Sequence, residues 1–362
     1  MDFLLGPILQ DAGRGGPALA RFHRIQDALL MILQHPPVQS DWRSTYSRAP
    51  FPPSFPSPPP ILTTKLKSPL QHSLNPKVSM APKTPFEHFE EIAQRYETTM
   101  GGLSRDLSQH IIRGPAASIS TDSVVLDNAC GPAIVAEELL FALPASDAPP
   151  TIHAVDISPA MIGAARSKSA LSAHADRIHL AVMPAEKLTF PDSTFSHSIT
   201  NLGIFFFADA AQGAREIFRT LQPGGFAFLT IFAAFPHLEL VRRAQAVVRP
   251  GEPPFSIPVD LAWFETAHIE SVLHGAGFEN VVVGETVAHY GAPTAAGVAD
   301  RLLSLFGAVF ETWSAEEKEA FEEELRRIVP GALETFQRGV GVAGEVEEVG
   351  IPMRTYVVTA RK

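Results

Sequence analysis

The sequence predicts an α/β fold: a parallel sheet with helices on both faces. Two observations carry this. Short runs rich in β-branched and apolar residues alternate with amphipathic runs of helix length, and the first two of those strands each end in an acid, the first followed by a small-residue turn. The candidate strands lie at 123–127, 152–156, 178–183, 195–201 and 226–232, with helices over 132–143, 159–173 and 208–221. In a βαβαβ order the crossovers are right-handed, which settles most of the topology.

Upstream, the run PFEHFEEIAQRYETTMGGLSRDLSQHII spaces Phe86, Phe89, Ile92, Ala93 and Tyr96 at three and four, predicting a helix; Gly101-Gly102 interrupts it before another. Downstream, a helix over 266–274 ends at Gly275-Ala276-Gly277, followed by strands at 280–283 and 353–359. Between those strands, 284–350 reads as a helical insertion. It holds a helix over 296–313 and another opened by Ser314 with Glu317 three residues on, a capping box. Leu302, Leu303, Phe306, Val309, Phe310 and Trp313 share nearly one side, suiting either a helix packed on the core or a cap over a substrate pocket. The outer face of these helices is a candidate homodimer surface.

Residues 1–80 differ in kind. Nine of the 25 residues from Pro36 to Pro60 are proline, a density that removes backbone donors and favours a disordered or polyproline II extension. Met80, just ahead of the first amphipathic run, offers an alternative start that would leave 1–79 as upstream sequence. Asp2, Asp11, Asp27 and Asp41 argue against the rival reading, a transit peptide. The folded domain is expected over 81–362.

The chain carries 29 basic and 39 acidic side chains, and since 1–79 hold eight and four of them, the remainder has a net charge of −14. Such a surface repels phosphate backbones, so a small-molecule partner is expected and a nucleic acid is not. The longest apolar stretch, 224–235, is about twelve residues, well short of the roughly 20 that span a bilayer. A single cysteine, Cys130, excludes an internal disulfide and a Cys-rich zinc site. No metal is expected, and a reducing, cytoplasmic setting is.

The chemistry-bearing run is Val124-Val125-Leu126-Asp127-Asn128-Ala129-Cys130-Gly131-Pro132-Ala133, a strand whose acid tip leads through small residues into a helix. Ligands of parallel sheets bind beyond such tips. Asp156 closes the next strand, 25 residues after Gly131, where a carboxylate can accept hydrogen bonds from both hydroxyls of a ribose. A dinucleotide would need a three-glycine turn for its pyrophosphate. Here there is one glycine and no neighbouring base, while Asp127 would welcome a cation, so a cofactor with an adenosine, a sulfonium and an amino-acid end fits.

These motifs, VLDNACGPA, AVDISPAMI and the EIFRTLQPGG helix-turn, make the chain resemble class I S-adenosylmethionine-dependent methyltransferases, of the small-molecule type of ubiquinone/menaquinone biosynthesis. The resemblance spans roughly Phe86 to Lys362. It implies a Rossmann-like, seven-stranded, mostly parallel sheet and methyl transfer from S-adenosylmethionine to an apolar or aromatic small molecule by in-line displacement. It further implies that Asp127, Asn128, Ala129 and Gly131 line the methionine moiety, Asp156 holds the ribose, and Ile157 and Met161 flank the adenine. The backbone N–H of Ala185 would meet the adenine edge, Asn201 and Leu202 would face the reactive methyl, and Tyr96 would close over the cofactor. Three positions depart from the pattern: Ala133 replaces a usual glycine, Pro184 replaces an acid, and Ser196 replaces an aspartate.

His237, just past the fifth strand, is the candidate general base; the competing reading is an exposed or capping histidine. Cys130 reads as a packing residue, since nothing basic neighbours it to activate the thiol. Phe205, Phe206, Phe207, Phe232, Phe235 and Trp263 could line an apolar pocket or simply fill the core. A non-catalytic, cofactor-binding regulator is the alternative function, and the missing three-glycine turn argues against an oxidoreductase.

Overall fold

The computed structural model describes residues 84–142, 148–339 and 344–362. The proline-rich extension expected over 1–80 lies outside them, as does Leu143, the expected end of one helix. Five parallel strands, β1 (Val124–Asn128), β2 (Thr151–Asp156), β3 (Ile178–Val182), β4 (Phe195–Asn201) and β5 (Leu221–Phe232), form the body of the sheet. Beyond β5 come β6 (Asn280–Ala292), β7 (Glu334–Gly339) and β8 (Glu345–Arg361), in the order β3-β2-β1-β4-β5-β8-β6, with β7 also pairing with β8. β8 runs antiparallel to its three neighbours.

The helices, in chain order, are α1 (Pro85–Ile92), α2 (Tyr96–Thr99), α3 (Leu103–Arg113), α4 (Ile134–Ala142), α5 (Pro159–Arg166), α6 (Ser169–Ser172), α7 (Ala210–Thr220), α8 (Pro236–Val248), α9 (Thr266–Ala276), α10 (Ala295–Leu305) and α11 (Ala315–Ile328). Alternation along β1 shows why both faces are covered. Val125 joins an apolar cluster with Ile111, Leu139 and Ile162, while Leu126 joins another with Ile217, Val241 and Leu273.

Several boundaries correct the sequence reading. The sheet has eight strands, not seven, because ETFQRG, which lacks apolar alternation, pairs as β7 with an extended β8. β6 runs nine residues past Val283 and β8 begins at Glu345, so much of the expected insertion 284–350 is strand. α4 starts after Ala133, whose φ of 57° no helix accommodates, rather than at Pro132. The run over 159–173 divides into α5 and α6, and α10 stops at Leu305 where 296–313 was expected as one helix. The capping box at Ser314 forms as expected, and Thr84 with Glu87 makes a second at the start of α1.

The N-terminal helices are bolted to the C-terminal strands. Tyr290 OH donates to the Thr99 carbonyl at 2.7 Å, and Arg338 Nη2 donates to the Gly101 carbonyl at 2.8 Å. Gly102, at φ 75°, holds a backbone conformation that side-chain-bearing residues rarely adopt, and a Cβ there would press on the Arg338 guanidinium. Arg338 is itself buried and ion-paired to Asp106 at 2.6 Å and Glu348 at 2.8 Å. Arg338→Met removes the cation from between two largely buried carboxylates, an uncompensated-charge penalty of about 3 kcal/mol. Urea unfolding should show that loss, and stability equal to wild type would refute the clamp.

Candidate active site

The site forms where the C-terminal ends of β1, β2 and β4 meet α1 and α2. After β1 the chain turns through Ala129 (φ 52°), Gly131 (φ 54°) and Ala133 (φ 57°), three left-handed residues within five. The turn is held by Cys130 N–H donating to the Val155 carbonyl at 2.9 Å and by Gly131 N–H donating to Asp156 Oδ2 at 2.8 Å. Ser158 N–H donates to the other oxygen, Oδ1, at 2.9 Å. Two of the roughly four acceptor directions of the Asp156 carboxylate remain for a ligand. Burial raises its pKa, and the two backbone donors oppose that rise.

A cavity of about 680 Å³ opens against this turn. Of the expected cofactor residues, Ala129, Gly131, Asp156, Ile157 and Met161 line it, as do Ala185, Asn201, Leu202 and Tyr96. Asp127 and Asn128 do not: both are buried behind it. Asp127 Oδ2 accepts from Ala136 N–H at 3.2 Å, its Oδ1 and both Asn128 side-chain polar atoms have no partner among the described residues, and burial pushes the Asp127 carboxyl up to about 7. The methyl of Ala133 is likewise buried among core residues, so its departure from glycine adds nothing to the cavity wall. Ser196, the third departure, ties β4 to β1, its Oγ accepting from Val124 N–H at 3.0 Å.

The far wall is set by β4 and the N-terminal helices. Asn201 Nδ2 donates to the Ser104 carbonyl at 2.8 Å, and its Oδ1 accepts from Thr230 Oγ1 at 2.6 Å. Thr230 Oγ1 in turn accepts from Leu202 N–H at 2.9 Å, holding Leu202 at φ 55°. Tyr96 is hydrogen-bonded to Ser104 at 3.2 Å, and burial pushes its hydroxyl up to about 12, so it is a neutral phenol. Glu90 on α1 accepts from Ala160 N–H at 3.0 Å and from Ser158 Oγ, tying α1 to the start of α5.

A second, smaller compartment of about 190 Å³ shares Phe89, Tyr96, Leu202 and Phe206 with the first. Its other walls include Phe232, Phe235, Phe255, Phe306 and His237. His237 is neither exposed nor a cap: it is 5% exposed in the first turn of α8, with its ring 5.5 Å from that of Tyr290 at 24°. Nδ1 has no hydrogen-bond partner among the described residues, and burial pushes the imidazole down to about 3. At neutral pH the ring is uncharged and suited to accept a hydrogen bond rather than to hold a proton. Trp263 stays in the core, edge-on to His268.

Sequence reasoning missed Glu186 and Asp209, which line the large cavity. Glu186 Oε1 accepts from Ala208 N–H at 2.8 Å, and Asp209 caps α7. The helix-start pattern of Asp209 with Gln212 was the available signal for the second; the first had none. Also missed were Met100, Phe255 and Leu305 of the small compartment, apolar residues whose patterns resemble any core position.

Residues 126–229 match a family described as methyltransferase domain. A ubiquinone/menaquinone biosynthesis C-methyltransferase, UbiE, of Geobacter sulfurreducens is 36% identical over 157 residues, 43% of this chain and 60% of that protein. Its namesake from Geotalea daltonii is 31% identical over 42% of this chain and 66% of that protein. Methyltransferase ktnA of Aspergillus niger is 23% identical over 311 residues, 79% of this chain and all of that protein. The match to the first two thus spans about three fifths to two thirds of their length.

The unfolded chain protonates a histidine near 6.5, whereas folded His237 stays neutral down to about 3. Between those values the unfolded state binds more protons, so this contribution is whole above 6.5 and fades as pH falls, by at most about 1.4 kcal/mol per unit. Asp127 acts oppositely, its raised pKa costing stability as pH rises towards about 7. Denaturant titrations across the acid range should show a shallower acid loss in His237→Phe than in wild type; parallel profiles would mean that His237 titrates normally.

Proposed function

We propose that this chain, whose methyltransferase domain is of the class I S-adenosylmethionine-dependent kind, transfers a methyl group to a small apolar or aromatic acceptor. When bound, S-adenosylmethionine supplies a methyl on a positively charged sulfur, open to in-line displacement by an acceptor atom.

One observation supports the reading above others: among the described residues, the large cavity has acids on its wall and no Lys or Arg. Asp156, Glu186 and Asp209 line it, which suits a cation with ribose hydroxyls and repels a pyrophosphate. Gly131 adds a fit of shape, since a Cβ there would stand about 4 Å from Met161 Sδ and from the Tyr96 ring, inside the space a ligand would use.

The residues then divide the work. Asp156 binds the ribose through its two free acceptor directions, Ile157 and Met161 flank the adenine, and the Ala185 N–H meets its edge. Ala129 and Gly131 leave room for the amino-acid end, with the buried carboxyl of Asp127 behind them. Asn201, Leu202 and Tyr96 stand at the boundary with the small compartment, where the acceptor would lie. Since the methyl arrives activated, positioning and exclusion of water carry most of the rate. The aromatic walls of the small compartment do the excluding.

Calorimetric titration of the full chain should give saturable binding of S-adenosylmethionine and S-adenosylhomocysteine. Asp156→Asn, which keeps the shape but removes the charge and one acceptor oxygen, should weaken both by about tenfold or more. No binding by well-folded wild type would overturn the proposal.

A further inference from the structure

Glu252-Pro253-Pro254-Phe255 follows α8 and opens an extended strap, 252–258. Phe255, Ser256, Ile257 and Pro258 line the small compartment, and Pro258 lines the large one as well. The strap is built like a strand without a sheet. Phe255 and Ile257 are half-buried and pack on the core, while Pro254, Ser256 and Pro258 are exposed, the period of two of an extended chain. Prolines at 253, 254 and 258 have no N–H to donate, and no backbone group of 253–256 bonds to another backbone group among the described residues.

One side chain replaces the missing neighbour. Gln245, buried in the last turn of α8, donates from Nε2 to the Pro253 carbonyl at 3.0 Å, and its Oε1 accepts from Phe255 N–H at 2.8 Å. That is the donor and acceptor pair which the backbone of an adjacent strand would present. One turn earlier, Arg242 Nε donates to the Phe255 carbonyl at 2.7 Å. Both backbone groups of Phe255 are thus held by side chains of α8. The strap's ends are fixed separately. Arg249 pairs with Glu252 at 3.0 Å and with Glu317 of α11 at 2.8 Å, and Asp260 Oδ1 accepts from Ala262 N–H at 2.9 Å. Gly251, at φ 109° with open space beside its Cα, supplies a hinge.

We propose that this strap is the movable wall of the small compartment and that Gln245 is the positioning residue that sets it, so that its two hydrogen bonds govern how large an acceptor the compartment takes. The inference rests on the reading above, in which this compartment holds the acceptor. Other walls belong to packed elements: Phe232 ends β5, Leu202 is pinned through Thr230, and Tyr96 is bonded to Ser104. The strap hangs by side-chain bonds, whose exchange for bonds to water has a small net cost. A cavity of about 150 Å³ accepts benzene, and this one is about 190 Å³, so a guest of several rings requires a wall to move outward. Held inward by Gln245, Phe255 keeps the compartment shaped for a small guest, and preorganisation of this kind favours the guest that fits without displacing it.

Hydrogen exchange and probe binding on the full chain test this together. Within 253–258 only Phe255, Ser256 and Ile257 carry a backbone N–H, so exchange there reports closely on the bond to Gln245. Gln245→Met, which keeps the side-chain length and removes both bonds, should speed that exchange about tenfold or more while β5 stays at its wild-type rate. Indole and N-phenyl-1-naphthylamine, uncharged probes of two and three rings, are titrated with and without S-adenosylhomocysteine. In Gln245→Met the ratio of their affinities should move about tenfold towards the larger probe; a side chain that only stabilised the fold would leave that ratio alone. Arg242→Leu removes the other bond to Phe255 from a half-exposed position. It should shift exchange and ratio the same way, and it carries the test if the methionine variant does not fold. Unchanged exchange at 253–258, a ratio that stays at the wild-type value, or no binding of either probe would each overturn the proposal. A loosened strap with a shifted ratio, in a chain that binds no S-adenosylhomocysteine, would uphold the movable wall while overturning the cofactor reading.

Discussion

The hydrogen bond from Gly131 N–H to Asp156 Oδ2 is the constraint on which the site depends. It joins the turn after β1 to the tip of β2, and with Cys130 N–H on the Val155 carbonyl it holds a backbone that would otherwise relax. A non-glycine residue in the left-handed region costs roughly 1–2 kcal/mol, and Ala129 and Ala133 both sit there. Leu202, across the cavity, is a third, pinned through Thr230. Three of the four such residues among those described thus stand in or behind the two facing walls of this cavity, the pattern of strain held for binding rather than for folding.

The two compartments divide by polarity. The large one offers carboxylates and backbone groups; the small one offers mainly aromatic rings, with His88 and His237 and no carboxylate among its described lining residues. A cationic ligand on one side and an apolar partner on the other would gain from such a boundary. The charge is accommodated on one side and the partner is kept dry on the other.

Much of this was legible in the sequence because two periodicities and one motif act locally. The five parallel strands follow from alternation and apolar runs, and β4 has the same limits in both readings. The turn after β1 follows from its small residues. What escaped depends on distant partners. ETFQRG is polar at the position of Arg338, whose burial is made tolerable only by Asp106 and Glu348. Nothing local marks Ala133 as left-handed, so α4 was expected two residues early. His237, between a proline and a leucine, carries no sign that four aromatic rings will pack around it. That Asp127 turns towards Ala136, away from the cavity, is equally invisible in its motif.

The bolts between the two ends of the chain also set a timetable. Thr99 meets Tyr290 across 191 positions and Gly101 meets Arg338 across 237. The five parallel strands are complete at Phe232, more than a hundred residues before Arg338 is made. At ribosomal speeds of about 5–20 residues per second, the residues of the turn between β1 and β2 are made some seconds before the bolts that fasten the helix carrying Tyr96 can form. The nascent protein passes through a stage with a finished floor and a loose roof, when its aromatic walls face water and a chaperone or a ligand has most to offer.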